Sequence, residues 1–410
     1  MRASVPLPAL IGAALVVLAF ALLTTEHLVH YALGLLMLGG LIAVLRAPRA
    51  LWQDADLRGC SLAFLALWLP MLVSLPDAVN AAHATKTALA YLHFWPAALA
   101  VVLALRHAQL RQFVFAGVAS IVAFWLADAI LQLFTGRDLF GHPPVGNILT
   151  GAFYPKQRLG LVLAVATPLY CLAVAQLARR WPVAWLLLLP LFVVILLSLK
   201  RTAWIMLAVS IAGLLWLACA RRGGGPCRAM LASLLALVVL VGGALAVDPA
   251  LRARVTETAG LVSGDFDTMD RASSYRLTLW RTGWRMFEAH PWNGIGPRGY
   301  RHAYAEYAPP GDFWFERGGG QTHPHLVALE VALETGVVGL VGYACFLWLL
   351  LARLRGAGDD ATAAWAISAL AATFPFNAHL AFYGSYWSSL AWLAVAVAMA
   401  RPASVPQNRP

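Results

Sequence analysis

Three groups of residues in this chain have types and spacing suited to chemistry. The first is the pair Lys200-Arg201, set between the apolar run Leu191 to Leu199 and the apolar run that starts at Thr202, with no acidic residue near in sequence. A cation at the middle of a membrane span costs about 2.5–3.5 kcal/mol, and less near its ends. The pair therefore either snorkels to the headgroups or holds an anion, for which a lipid-linked phosphate suits the depth. Arginine fits that task because its planar fork can grip phosphate oxygens bidentately and stays charged. The second group is Arg276, within Ser274 to His290, with Arg271, Arg281 and Arg285. Here the alternative is a solvated basic face near anionic lipid. Lys156 and Arg158 form a further basic pair, open to the same two readings.

The third group is Thr322-His323-Pro324-His325, directly before the apolar run that begins at Leu326. With Thr322 as N-cap, Pro324 and His325 fall in the first helical turn, where proline is tolerated. The positive end of a helix dipole disfavours imidazolium, and partial burial acts the same way. A histidine kept neutral can accept a proton as a general base. The alternatives are a capping or packing histidine, or a metal shared by His323 and His325, for which the sequence offers no clear third ligand.

The elements that must position these groups are hydrophobic. Of 410 residues, 61% are hydrophobic and 12% charged, against about 25% charge in soluble domains. This is an integral membrane protein. The net charge of +11 reflects basic loops between apolar runs and does not call for nucleic acid. Spans need about 20 mainly apolar residues, and twelve are predicted: 7–24, 29–46, 59–76, 85–105, 111–134, 158–178, 181–199, 202–220, 229–247, 336–353, 360–379 and 384–400. Leu7 to Leu23 reads as a first span without a cleavage site after it. The fifth span carries Asp128, the fourth His93 and Pro96, and the eleventh Phe374-Pro375.

Alternate short loops hold fifteen of the Lys and Arg residues and the opposite set only six, apart from nine in the long polar stretch. Short loops decide orientation. Both termini are then cytoplasmic, and the stretch 248–335 faces outward. The organisation expected is spans one to nine over 1–247, the outward segment with amphipathic helices over 248–335, and three more spans with a cytoplasmic tail over 336–410. Within the segment, Leu277, Trp280, Trp284 and Phe287 form an apolar stripe suited to lying on a membrane. The five cysteines, Cys60, Cys171, Cys219, Cys227 and Cys345, avoid the polar stretch, so no disulfide framework or cysteine metal site is expected. Gly294-Ile-Gly-Pro-Arg-Gly299 matches a dinucleotide fingerprint in letters only, since no strand precedes it, and reads as a turn. Asp265-Phe-Asp267 with Asp270 reads as a polar loop.

Three patterns in order resemble the O-antigen ligase and O-antigen polymerase superfamily of bacterial membrane glycosyltransferases. They are Lys200-Arg201-Thr-Ala; Arg276-Leu-Thr-Leu-Trp280 followed by His290-Pro-Trp-Asn-Gly-Ile-Gly-Pro-Arg-Gly-Tyr300; and His325-Leu-Val-Ala-Leu-Glu-Val-Ala-Leu-Glu-Thr-Gly336. Lys200 departs from the family's serine, and Leu326 from its usual asparagine, so no role for that asparagine carries over. The resemblance implies a GT-C type, metal-independent, inverting transfer from an undecaprenyl-diphosphate-linked glycan at the periplasmic face of the inner membrane, with no cofactor. By resemblance, His325 is the base that activates the acceptor hydroxyl, and Arg201 and Arg276, with Lys200, hold the donor diphosphate. Lys156, Arg158, Arg281 and His323 are candidate substrate contacts. Diphosphate is a good leaving group once its charge is held, so one base and cationic clamps suffice. The long outward segment favours a ligase acting on lipid A–core oligosaccharide. A polymerase or a protein O-oligosaccharyltransferase of the same superfamily is the alternative. A twelve-span transporter or flippase finds its support in Asp128 and His93.

Overall fold

The computed structural model describes residues 5–222, 242–243, 246–378 and 380–401. Apolar helices lead: α1 (Leu7–Ala21), α2 (Val29–Arg46), α3 (Ala55–Val73), α4 (Ala81–Tyr91), α5 (Phe94–Ala104), α6 (Ala108–Thr135), α7 (Leu159–Ala178), α8 (Leu188–Leu197) and α9 (Arg201–Arg222). The polar stretch folds into five short helices: α10 (Pro249–Ala259), α11 (Phe266–Ala272), α12 (Arg276–Ala289), α13 (Tyr300–Tyr307) and α14 (Phe313–Gly318). Then come α15 (Val327–Arg355), α16 (Asp360–Ala372) and α17 (Ser385–Met399). Among the described residues no β-strand forms, and the one extended pairing is an isolated bridge between Val145 and Ile148.

The chain is an all-α integral membrane protein. Among the described residues eight helical stretches are long and apolar enough to cross a bilayer, and eight of the twelve predicted spans coincide with them. Three others are shorter than expected. The stretch 181–199 is a 3₁₀ turn followed by α8, ten residues long, and α17 has fifteen. At 1.5 Å per residue, neither crosses a hydrocarbon core of about 30 Å unaided. The eleventh span stops at Ala372 because Pro375 cannot continue a helix. The ninth, 229–247, lies almost wholly outside the described residues.

Helix α17 is buried on every face after its first residue, and α16 nearly so. A helix apolar all round belongs inside a bundle. The two pack on each other, with α5 and α7 beside them. At one end of the bundle the basic loops are tied down: Arg106 to Asp54 at 2.5 Å, Arg111 to Asp359 at 3.2 Å and Arg401 to Asp56 at 2.9 Å. The helices of the polar stretch sit at the other end. Asp128 is spent on structure, its Oδ1 accepting the Leu139 N–H at 2.7 Å.

The polar segment has its own small core of Leu279, Met286, Ile295, Tyr300, Ala303, Tyr304, Leu329 and Leu333. The face of α12 that this buries is Leu279, Thr282, Gly283 and Met286, packed on α15. The stripe of Leu277, Trp280, Trp284 and Phe287 lies on another face, with Trp284 52% exposed. Each buried Leu or Met contributes about 1.5–3 kcal/mol, so packing on α15 fixes α12 in place. Inside α15 the backbone breaks at Gly336, with φ 65° and ψ −162°, a conformation essentially reserved for glycine. A Cβ there would stand 2.2 Å from the Trp292 carbonyl oxygen. The 291–296 turn fills the break. Val337 N–H donates to Pro291 O at 2.8 Å, and Ile295 and Gly296 N–H donate to the Leu333 and Glu334 carbonyls at 2.9 and 3.0 Å. The glycine-rich stretch therefore completes a broken helix and offers no phosphate cradle.

Candidate active site

Two cavities adjoin at the end of the bundle that carries the polar segment. The cationic one is about 450 Å³, lined by Lys156, Arg158, Lys200, Arg201, Arg254 and Arg276, with Gln157, Ser274, His325 and Leu380 among the remaining wall. Among the described residues, six cations and no carboxylate line this space. The structure thus brings together His325, Arg201, Arg276, Lys200, Lys156 and Arg158, from segments separated by up to 169 positions (325 minus 156).

Each cation is placed by a local device. Gly160 in α7 meets the turn after α8 so closely that a Cβ would lie 2.3 Å from Ser198 Cβ and Oγ. This contact sets Lys156 to Arg158 beside Lys200 and Arg201, and Lys200 Nζ donates to Gln157 Oε1 at 2.5 Å. Arg201 donates to the Ala272 carbonyl and, at 2.9 Å, to Ser274 Oγ, which ties α9 to the polar segment. Lys156 and Arg158 share Glu26 at 3.1 and 3.0 Å, and the Arg158 guanidinium lies 4.0 Å over the Tyr386 ring. The Arg276 side chain has no hydrogen-bond acceptor or acidic partner among the described residues, and it faces the cavity. Burial, with Arg201 and Arg254 beside it, holds its pKa down to about 10. Lys200 is lowered likewise, by burial first and then by Arg254 and Arg276. Charged groups that repel one another around a desolvated space are waiting for a counter-charge.

The backbone points the same way. Five non-glycine residues among those described have left-handed φ: Leu199 (53°), Ser274 (63°), Tyr275 (58°), Arg298 (61°) and His325 (53°). Leu199 precedes Lys200, Ser274 and Tyr275 precede Arg276, and Arg298 lines the adjoining cavity. Such conformations cost of order 1–3 kcal/mol each and gather at functional sites. The fold spends this strain around the cavities.

His325 is not in the first turn of a helix. Helix α15 starts at Val327 with Leu326 as an extended N-cap, and Thr322 Oγ1 pairs with His323 Nδ1 instead of capping. The first free N–H groups of α15 go to another segment: Val327 to Asn377 O and Ala328 to Pro375 O, both at 3.0 Å. No side-chain cap is needed, and the helix dipole has carbonyl partners other than His325. Pro324 is fixed by Trp280 Nε1, which donates to its carbonyl at 3.1 Å. The His323 and His325 rings lie 3.9 Å apart between centroids, but His323 lines the second cavity and His325 the cationic one. Among the described residues no group of three or more His, Cys, Asp and Glu is placed to hold a metal ion, so the two histidines find no third ligand there.

Arg281 is not brought in. It sits on the exposed side of α12, 5.5 Å over the Phe266 ring. Three features escaped sequence reasoning. Arg254 contributes to the clamp, held at 2.5 Å by Glu257; only its place among many loop cations was visible. Gln157 sits between the flagged Lys156 and Arg158. The connection between α16 and α17 (373–384), which reads as membrane span, supplies wall to both cavities. Its buried backbone is satisfied by side chains: Glu330 accepts from the Phe382 N–H at 3.0 Å, and Thr202 Oγ1 donates to Ala378 O at 2.9 Å. Irregular backbone at membrane depth is tolerated when so paired, and Pro375 was its signal.

Fold and site together define a polytopic helical membrane protein with a cation-lined cleft at one end of its bundle and a histidine in the cleft wall. Residues 185–344 match the protein family described as O-antigen ligase, a stretch that holds Lys200, Arg201, Arg254, Arg276 and His325. This part of the chain is similar to that family, and the match takes in the segment from α8 through the polar helices and into α15. Among curated proteins, none matches the chain.

Proposed function

We infer that this protein is an O-antigen ligase that transfers undecaprenyl-diphosphate-linked O-antigen polysaccharide to lipid A–core oligosaccharide. The observation that carries this reading is the cavity of about 450 Å³ with, among the described residues, six cations, no carboxylate, and His325 in its wall. A lipid diphosphate is the anion whose charge and depth suit it. The donor diphosphate is held by Arg201, Arg276 and Lys200, with Arg254, Lys156 and Arg158 around it. His325 takes the proton of the acceptor hydroxyl. The oxygen forms a bond to the anomeric carbon as the bond from that carbon to the diphosphate oxygen breaks, and the electron pair leaves with the diphosphate. The clamp stabilises the charge that develops there, so no acid need protonate it. Attack opposite the leaving group inverts the anomeric centre, with no metal or cofactor in the step. This is the chemistry of a GT-C type enzyme.

The end of the bundle where Arg106, Arg111, Arg221, Arg353 and Arg401 collect would face the cytoplasm, as excess Lys and Arg do. Both termini would lie there, and the cleft would open to the periplasmic side of the inner membrane. The choice of ligase over polymerase or protein O-oligosaccharyltransferase rests on the long polar segment, whose helices α10, α12 and α13 line the two cavities. Deleting the gene and resolving lipopolysaccharide on a gel tests it. Core with no O-antigen supports the ligase, core with a single repeat unit supports a polymerase instead, and an unchanged ladder refutes both.

A further inference from the structure

The second cavity, about 520 Å³, shares Arg158 and Leu380 with the first and meets it across the His323–His325 pair. Its lining is of a different kind. Part of it is aromatic, with Tyr383 before α17, Tyr386 and Trp387 in its first turn, and Phe94 of α5. Another part is cationic, with Lys86 from α4, Arg298 from the glycine turn and Arg301 from α13. The carboxylate in this lining, Glu26, is already engaged by Lys156 and Arg158.

The cationic wall is built and under-satisfied. Arg298 is held in a left-handed conformation, its backbone N–H donating to Glu334 Oε2 at 2.6 Å, with Glu330 3.8 Å from its Nη1. Its side chain is only 14% exposed, yet the buried Nη1 has no hydrogen-bond acceptor, and neither has the buried Nε of Arg301. Among the described residues, Lys86 and Arg301 have no ion-pair partner. Arg298 Nη1 has the Glu330 carboxylate as its ion-pair partner, so the donors left for a ligand are chiefly those of Lys86 and Arg301, which are costly to leave unpaired. Aromatic faces beside such donors suit a saccharide, whose C–H faces pack on rings while its charged substituents meet the cations.

We propose that this cavity is an anion-selective acceptor subsite, in which Lys86, Arg298 and Arg301 hold phosphate or carboxylate groups on the acceptor saccharide. It rests on the transfer reading above. With the diphosphate among the six cations, an inverting attack has to come from the other side of the anomeric carbon. The second cavity lies across the histidine pair from the clamp, so the acceptor hydroxyl meets His325 at the junction. Arg298 and its turn are part of the fold, whereas Lys86 is exposed on α4 and Arg301 makes no described contact that the fold needs. The last two are therefore the residues to test.

The test uses the full chain in lipid nanodiscs with a lipid-linked glycan donor. Three acceptors are compared: phosphorylated core oligosaccharide on its lipid, the same acceptor after phosphatase treatment, and the same after carboxyl reduction. Lys86→Ala and Arg301→Ala should each raise the KM for the intact acceptor about tenfold, with kcat and donor KM nearly unchanged. Both variants should lose their effect against whichever treated acceptor lacks the recognised group, which also tells phosphate from carboxylate. Equal KM changes for all three acceptors, or a change in donor KM, would overturn the subsite. Binding of lipid-free phosphorylated core oligosaccharide to the same discs separates the two levels. Wild-type binding that Arg301→Ala weakens, without any transfer, would leave the subsite standing and sink the transfer reading.

Discussion

Arg276 should work against the stability of the empty protein and in favour of its substrate. Its guanidinium is held down to about 10, well below the usual arginine range, by burial first and by Arg201 and Arg254 next. One pKa unit is about 1.4 kcal/mol, so the charged form is disfavoured in the fold by roughly 3 kcal/mol. The sign is that of a base with a depressed folded-state pKa. At pH 7 it is protonated both folded and unfolded, so the whole penalty is present there. It is relieved only as pH rises past about 10 towards the unfolded value. Arg276→Gln removes the charge at neutral pH while keeping a polar head that still resists burial. The unliganded protein should gain roughly 1–2 kcal/mol, seen as a rise of a few degrees in the tryptophan-fluorescence melting temperature. Donor recognition should move the other way. Loss of one charge-assisted contact costs about 1.5–3 kcal/mol, or a 10- to 150-fold weaker donor interaction. Arg276→Lys keeps the charge but not the fork, and should fall between. The pair of measurements is a melting curve without donor and the donor KM in nanodiscs. A Gln variant that melts lower and has an unchanged donor KM would refute the clamp, since Arg276 would then be a structural residue.

Three further outcomes follow from the same geometry. His325→Ala should abolish the O-antigen ladder in a complemented deletion strain while the purified variant still binds the lipid-linked donor; a restored ladder would remove the histidine from the reaction. Gly160→Ala places a methyl 2.3 Å from Ser198 and must push the Lys200 turn away from Gln157. Overpacking of this kind costs about 1–3 kcal/mol, and the donor KM should rise although no cation is touched; an unchanged melting temperature and KM would show that the turn does not depend on this contact. Lys200, lowered by burial and by Arg254 and Arg276, should lose its proton below the usual 10.5. Donor affinity should therefore decline on the alkaline side earlier than an ordinary lysine would allow, while fold stability rises over that range because the unfolded chain holds the proton longer. Lys200→Arg should carry that limb to higher pH, and an unshifted profile would assign the titration elsewhere.

Much of the site was legible because its members are chemically conspicuous. A Lys-Arg pair between apolar runs, a histidine next to a span and an arginine in a polar helix stand out against a chain with 12% charge. The spans were legible from length and apolarity alone, except where burial inside the bundle lets a helix be short, as in α17. What stayed hidden was long-range pairing. Thr322 was a sound cap by local rules, but Asn377 and Pro375 carbonyls reach the helix start first, and nothing local announces a partner fifty residues away. The stripe of Trp and Phe on α12 has the right period for a membrane face, yet Leu279 and Met286 on another face pack on Leu329 and Leu333. Arg254 and Arg281 could not be ranked from sequence, because which loop cation enters the cleft depends on how α10 and α12 fold back.

The placement of strain explains why those separate segments have to meet. The four left-handed residues at Leu199, Ser274, Tyr275 and His325 sit on three chain segments that converge on one cavity, and each aims or adjoins a cation or the histidine. Local bonds hold part of this backbone, with Ser274 and Tyr275 N–H donating to the Arg271 and Asp270 carbonyls at 2.9 and 2.6 Å. Others run between segments: Arg201 to Ala272 and Ser274, and Trp280 to Pro324. The clamp and the proton acceptor are thus braced by one network, in which Arg201 both faces the donor anion and anchors the turn that presents Arg276. Removing Arg201 would release Ser274 and Tyr275 from the conformation that points Arg276 inward. A double substitution of Arg201 and Arg276 should then weaken donor recognition by less than the two single losses combined, the coupling expected of residues that share one support.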